Sequence, residues 1–250
     1  MFFACSAETL KKAKDAADSK AMLFQIHVAE TKYEFEQSLK EHEGQTPVEY
    51  LDRLGILDSD TLLVHAVWLK ADDIKRIAAR NSSVSVTTES EMKLASGIAP
   101  VPDLIRAGIA VGLGTDGCAS NNDQDLFKEM DVTAKLHKVN TLDPTVMDAR
   151  TVLTMATIAG AKAIGLGKEI GSLEIGKQAD VIIIDTRKPH LFPMYHPVSH
   201  LVYSASGSDV RDVIVAGRMI LKDRKLLSLD MEAVYEKVDA VCRQIRGGRE

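Results

Sequence analysis

Short apolar runs alternate with amphipathic stretches along the first two thirds of the chain. Four of the runs are predicted strands: "AMLFQIH" (21–27), "TLLVH" (61–65), "SSVSVTT" (82–88) and "IAVGLGTD" (109–116). Helix signals separate them. In "TPVEYLDRLG", Thr46 lies at the N-cap, Glu49 lies at N3, and Gly55 follows the C-terminal end of the helix. Strands that are apolar on both faces and alternate with helices predict an α/β fold with a helix-covered parallel sheet.

Several further stretches have helical periodicity. They are "SAETLKKAKDAADSK", with Ser6 as N-cap, "KADDIKRIAAR", "VPDLIRAG", "DLFKEMDVTAKLHK" and "DARTVLTMATIAGAKAIG", the last of which reads as one continuous helix. His137 lies near the end of the fourth stretch, and we expect it on the protein surface.

From about residue 168 the pattern changes to short strands punctuated by Gly and Asp. "GSLEIGKQADVIIIDT", "SHLVYSAS" and "VRDVIVAGRMILKD" are predicted strands, "TRKPHLFPMYHPVS" an ordered loop and "MEAVYEKVDAVCRQIR" a closing helix. We therefore divide the chain into an α/β unit over 1–167 and a small β appendage with a closing helix over 168–250.

Composition excludes several classes of function. The formal net charge of −5 and the scattered Lys and Arg leave no basic footprint for nucleic acid. No apolar run approaches the roughly 18 residues of a membrane span, and the first residues do not form a signal peptide. Cys5, Cys118 and Cys242 are too few and too far apart for a disulfide framework or a metal knuckle. A cytoplasmic protein that binds neither nucleic acid nor membrane is expected.

Three predicted strands end on a residue that can bind a metal ion or carry a proton. These residues are His27, His65 and Asp116. Sites in parallel α/β sheets form at this edge, and imidazole with carboxylate is a ligand set for catalytic Zn²⁺. Glu30 follows His27 by three residues, where a carboxylate can shuttle protons for a metal-activated water. Each residue alone is more often structural, but their coincidence favours a metal-dependent hydrolase.

Four segments carry a resemblance to a known family: "FQIHVAET", "LLVHAVWL", "MKLASGIAPVPDLIRAGIAVGLGTDGCASNNDQDLFKEM" and "IGSLEIGKQADVIIIDTRKPHLFP". Together they resemble the amidohydrolase superfamily, in its cytosine deaminase and triazine hydrolase-like branch, and within it the 5′-methylthioadenosine/S-adenosylhomocysteine deaminases. The resemblance implies that the chain is the C-terminal half of a (β/α)8 TIM-type barrel with part of a small β-sandwich appendage and a C-terminal helix.

The resemblance also implies roles for single residues. His27 and Asp116 would bind one divalent metal ion, zinc or alternatively iron or manganese. Glu30 would protonate the substrate's ring nitrogen and leaving group, His65 would polarise the attacking water, and Asp116 would take its proton. Glu30 and His65 would also contact the substrate, an adenine nucleoside undergoing hydrolytic deamination.

The sequence departs from the family pattern at two places. The family's first barrel strand carries HxH, which supplies two metal ligands, and no HxH occurs in this sequence. His65 is then only a weak third ligand. In "SVSVTTESEMK", Val86 and Glu91 stand where the family usually has histidine and asparagine. Thr87 and Thr88 could supply hydroxyls to this side of the pocket, but they are interpreted as ordinary β-branched strand residues.

Three functions remain open at this point. The first is an adenine nucleoside deaminase, incomplete in this chain because the HxH strand is missing. The second is another branch member, such as a guanine deaminase or an s-triazine hydrolase. The third is an inactive chain that persists as a scaffold or oligomer partner. Because a half barrel leaves two sheet edges unpaired, we also expect a homo-oligomer.

Overall fold

The first sheet places the ends of its strands along one edge. The computed structural model describes residues 4–247, and within them a parallel sheet runs in sequence order through β1 (Phe24–Val28), β2 (Thr61–His65), β3 (Ser83–Val86) and β4 (Val111–Leu113). In the register of β1 and β2, Val28 lies opposite His65. The four strands are those predicted from the apolar runs. Their polar ends therefore meet at one edge, as expected for a parallel sheet.

Helices cover this sheet and connect its strands. They are α1 (Ala7–Asp18), α2 (Lys32–Glu41), α3 (Pro47–Arg53), α4 (Ala71–Ala79), α5 (Thr88–Lys93), α6 (Val101–Arg106), α7 (Cys118–Asn121), α8 (Leu126–Thr141), α9 (Ala149–Met155) and α10 (Ile158–Ala163). The capping box predicted at α3 is present, with Thr46 and Glu49 bonded reciprocally. Every residue of β2 is buried, so the core lies between this strand and the surrounding helices.

The helix predicted over 148–165 is interrupted, so the prediction of one continuous helix was wrong. Thr157, between α9 and α10, has φ −129° and ψ −106°, which is not helical. The reason lies in a close backbone contact, because a Cβ on Gly112 of β4 would come 2.9 Å from the Cα of Gly160 in α10. The break directs α10 onto β4, and two glycines allow the contact.

The second sheet is antiparallel. Its order is β5 (Val181–Ile184), β6 (Val210–Val215), β7 (Arg218–Lys222) and β8 (Lys225–Leu226). The strand predicted in "SHLVYSAS" is wrong, because residues Pro197–Tyr203 form helix α11. Pro197 occupies the first helical turn and the His196 ring accepts the Ser199 N–H at 3.2 Å, so a helix start replaces the expected strand. Val202 is buried where α11 packs against α8 and α9.

Helix α12 (Met231–Gly247) closes the described part of the chain. None of its side chains is buried, although it carries apolar residues on one face. Across residues 4–247, no helix combines the length and apolar character needed to cross a bilayer.

Candidate active site

Three strand-end side chains converge at the edge of the parallel sheet. Ligand atoms of His27, His65 and Asp116 all lie within 4.8 Å of one another. The two rings meet edge to face at 80° with their centroids 4.7 Å apart, and His65 Nε2 lies 3.2 Å from His27 Nδ1. His65 is only 1% exposed, whereas His27 is half-buried and reaches toward solvent. The cluster is therefore open on one side.

The spacing of these groups fits a divalent cation. Two nitrogens bonded tetrahedrally to one ion at about 2.0 Å lie about 3.3 Å apart. The 3.2 Å between His65 Nε2 and His27 Nδ1 matches that separation. Imidazole nitrogens with one carboxylate also form a donor set suited to zinc. The residues present can thus hold such an ion, with His65 as a third ligand beside His27 and Asp116.

The backbone is left-handed where two of these groups leave their strands. His65 has φ 73° and the following Ala66 has φ 51°, while Asp116 has φ 59°. Such conformations cost a non-glycine residue on the order of 1 kcal/mol or more and concentrate at functional sites. Both residues have their side chains in the cluster, and positive φ also occurs at turns elsewhere in the chain.

Two hydroxyls fix the Asp116 carboxylate. Ser90 donates from Oγ to Oδ2 at 2.8 Å, and Ser120 donates to the same oxygen at 2.6 Å. Burial alone would raise the pKa of Asp116, but these hydrogen bonds outweigh it and hold the pKa below its usual value. The side chain is therefore a carboxylate at neutral pH, as a metal ligand or proton acceptor must be.

The two histidines have pKa values that move in opposite directions. Burial and the nearby His65 lower the pKa of His27, and the Asp116 charge offsets only part of this. Burial also opposes the charged form of His65, yet Glu91, Glu30 and Asp116 together raise its pKa. The site thus carries an excess of negative potential around His65, which also favours a bound cation.

Glu30 lies beside His65 in a turn whose backbone N–H groups donate to a second glutamate, Glu34. Glu30 Oε2 is 3.7 Å from His65 Nε2. The buried Glu34 accepts the Ala29 N–H at 3.1 Å on Oε1 and the Glu30 N–H at 2.8 Å on Oε2. Sequence reasoning missed Glu34, although "TKYE" has the spacing of a helix N-terminus and Thr31 does accept the Glu34 N–H.

A second pair missed from the sequence lies on the other side of His65. The Thr87 hydroxyl is 2.9 Å from His65 Nδ1, and the buried Glu91 carboxylate is 3.7 Å from the same nitrogen. Thr87 is therefore more than the strand residue it was interpreted to be. The sequence offered the Thr87 hydroxyl only as an alternative, because the contact depends on how the end of β3 and helix α5 pack against β2.

Comparison with known proteins identifies the family. The model of the amidohydrolase family matches residues 1–220. The chain is 48% identical over 244 residues to a 5-methylthioadenosine/S-adenosylhomocysteine deaminase of Syntrophobacter fumaroxidans, covering 98% of this chain and 56% of that protein. It is 45% identical over 245 residues to a 5'-deoxyadenosine deaminase of Methanothermobacter thermautotrophicus, covering 98% and 57%. The chain therefore spans little more than half the length of these curated relatives.

Solved structures agree. An adenosine deaminase from Xanthomonas campestris with bound zinc superposes with a TM-score of 0.93 at 38% identity, over 97% of this chain and 55% of that one. The atrazine chlorohydrolase TrzN of Arthrobacter aurescens, complexed with zinc, has a TM-score of 0.88 at 23% identity over 94% and 52%, which supports the fold alone. The chain belongs to the amidohydrolase family and has its fold, and its relatives act on C–N bonds as deaminases.

Proposed function

We propose that this chain contributes to a metal-dependent hydrolytic deaminase of adenine nucleosides. The observation that carries the proposal is the convergence of His27, His65 and Asp116 within 4.8 Å, with Glu30 beside them. The named activities of the relatives supply the substrate class: 5′-methylthioadenosine, S-adenosylhomocysteine and 5′-deoxyadenosine.

His27 and Asp116 would hold one divalent ion, with His65 able to act as a further ligand. Zinc is the first choice because zinc is bound in the Xanthomonas relative, and iron or manganese are the alternatives. When bound, the ion supplies Lewis acidity that makes water a usable nucleophile at neutral pH.

The chain's own side chains would move the protons of the reaction. Asp116, held as a carboxylate by two serine hydroxyls, accepts a proton from the attacking water. His65 orients that water from the buried side of the site. Glu30 donates a proton to the ring nitrogen next to C6, regains the water proton held by Asp116 and donates it to the departing amine. The hydroxyl proton of the adduct then returns to Glu30, so that the amidine and water become an oxo-purine and ammonia.

The architecture of the complete enzyme belongs to the proposal as well. The four parallel strands correspond to the second half of a (β/α)8 barrel, and residues 168–250 to part of the appended β-sandwich and its closing helix. In such a barrel the remaining metal ligands and most substrate contacts come from strands outside this sequence. Self-association of the chain is a further expectation, since β1 and β4 each have one unpaired edge among the described residues.

The test measures zinc binding and ammonia release together. The purified chain with added Zn²⁺ is assayed on 5′-methylthioadenosine, S-adenosylhomocysteine, 5′-deoxyadenosine and guanine. With the remaining half of a relative supplied as a second chain, we expect stoichiometric zinc that Asp116→Asn abolishes and turnover of the adenine nucleosides that Glu30→Gln lowers on the order of 100-fold or more. Asp123→Asn, on the same loop but paired with the exposed Lys128, is the matched control and leaves both readouts unchanged.

The other outcomes separate the alternatives. Turnover of guanine alone would favour another branch member. Stoichiometric zinc without turnover, restored when the remaining half of a relative is supplied as a second chain, would identify an incomplete enzyme. Neither zinc nor turnover under both conditions would contradict the proposal and leave the inactive scaffold.

A further inference from the structure

The buried side of His65 carries a hydrogen-bond chain that the proposed reaction does not explain. His65 Nδ1 lies 2.9 Å from Thr87 Oγ1, and Thr87 Oγ1 lies 3.4 Å from Glu91 Oε1. His65 and Thr87 are 1% exposed and Glu91 is 2% exposed. The chain therefore runs through the interior, where water cannot substitute for a missing partner.

The acceptor-only carboxylate at the end of this hydrogen-bond chain favours one direction of donation. A carboxylate only accepts hydrogen bonds, and a hydroxyl has a single proton to donate. Glu91 Oε1 already accepts the Thr87 N–H at 3.1 Å, which anchors it beside the hydroxyl. If the Thr87 hydroxyl donates to Glu91, its oxygen must accept from His65, and the proton lies on Nδ1.

We infer that Thr87 and Glu91 are positioning residues that hold His65 as the Nδ1–H tautomer, with the Nε2 lone pair directed into the cluster. Nε2 is the nitrogen that faces His27 Nδ1 at 3.2 Å and Glu30 Oε2 at 3.7 Å. The hydrogen bond made by the other ring nitrogen commonly sets the tautomer and orientation of a metal-binding histidine.

The arrangement is a property of this chain. Glu91 stands where the family resemblance places asparagine, whose amide could donate as well as accept and would leave the direction open. A carboxylate there removes that ambiguity. The inference rests on the proposed function only in assigning the Nε2 lone pair to a metal ion, since the tautomer itself follows from the contacts.

The test reads the tautomer directly. Two-bond proton–nitrogen correlation spectra of the ¹⁵N-histidine-labelled, metal-free chain are recorded at alkaline pH, where imidazole is neutral, and His65 is assigned by its loss in His65→Gln. We expect the native chain to show a single Nδ1–H pattern that Thr87→Ser retains. Thr87→Val and Glu91→Gln should each lose the single pattern and weaken zinc binding on the order of 10-fold.

Asp73→Asn is the matched control. The buried Asp73 also accepts a backbone N–H and a threonine hydroxyl, those of Lys70 and Thr46, but in another part of the fold. We expect it to leave the His65 pattern unchanged. If Thr87→Val does not fold, Glu91→Gln still removes the acceptor-only carboxylate from the same hydrogen-bond series.

Three results would overturn the inference. The first is an Nε2–H pattern of His65 in the native protein. The second is an unchanged His65 pattern in both Thr87→Val and Glu91→Gln. The third is a change of the His65 pattern in Asp73→Asn as large as in those two variants. Deamination by a chain with the Nε2–H pattern would overturn this inference and leave the proposed function intact. An Nδ1–H pattern in a protein that binds no zinc would support this inference and contradict the proposed function.

Discussion

At the scale of single residues, buried polar side chains distinguish this protein from an ordinary α/β core. Glu34, Glu91 and Glu129 are almost fully buried. Glu34 accepts two backbone N–H groups in the turn after β1, and Glu91 and Glu129 accept one each at the start of α5, which follows β3. Such a group costs free energy unless its hydrogen bonds are satisfied, and here they are. The turns after β1 and β3 are therefore held by carboxylates.

His137 permits a prediction at this scale. Its side chain is 2% exposed. Burial is the larger cause and the charge of the nearby Lys138 the smaller cause that together lower its pKa to about 4. Since the unfolded chain binds a proton near the usual value of about 6.5, it binds more protons than the folded chain between these two pH values. The free energy of unfolding should fall by up to about 3 kcal/mol as the pH drops through this window.

The measurement is urea denaturation from pH 7 to pH 4 on the native chain and on His137→Leu, which cannot titrate. The unfolding free energy of the native chain should fall by up to about 3 kcal/mol more than that of His137→Leu over this range. Parallel curves would mean that His137 is accessible to protons in the folded state. The expectation from the sequence that His137 lies on the surface was wrong.

At the scale of elements, the contact between β4 and α10 controls how the helices close over the sheet. Gly112 and Gly160 meet with no room for a side chain. This contact also explains why the chain breaks its helix at Thr157 rather than continuing it.

Gly112→Ala tests this contact. A Cβ there would lie 2.9 Å from the Gly160 backbone, which cannot move as a flexible side chain can. We expect a loss of about 1–3 kcal/mol in unfolding free energy, measured by the urea midpoint. Gly117→Ala is the matched control, since Gly117 has φ −83° and no atom within 4 Å of the added Cβ. Equal midpoints for both variants would contradict this account.

At the scale of the whole molecule, the two sheets differ in how much they bury. Every residue of β2 is buried, whereas no residue of β5 is, and α12 leaves Tyr235, Val238, Val241 and Ile245 more than half exposed. Elements with few buried contacts open locally at little cost in free energy.

Hydrogen–deuterium exchange should separate these regions. At low protein concentration we expect the α12 amides to exchange orders of magnitude faster than those of β2. A protection of α12 that grows with concentration would place a contact between copies of the chain there. Protection equal to that of β2 at every concentration would contradict the prediction.

Elements with local signals could be predicted from the amino-acid sequence alone. The strands came from apolar runs, α3 from its capping box, and the shared edge of His27, His65 and Asp116 from the rule that parallel strands end together. The buried face of α8 was also readable, because Phe127, Met130, Ala134 and His137 recur at helical spacing. The prediction that His137 lies on the surface was wrong because it rested on the residue type, whereas the helical spacing puts His137 on the buried face of α8.

Features that depend on contact between distant segments could not be predicted from local sequence and follow from tertiary packing. The helix break at Thr157 follows from a glycine on another element, and α11 replaced a predicted strand because its first turn and its buried Val202 favour a helix against α8 and α9. The hydrogen-bond chain from Glu91 through Thr87 to His65 joins α5 and its N-cap to the end of β2, and Thr87 and His65 are 22 residues apart in sequence. Local pattern carries propensity and periodicity, whereas such contacts are set by packing, which no single segment encodes.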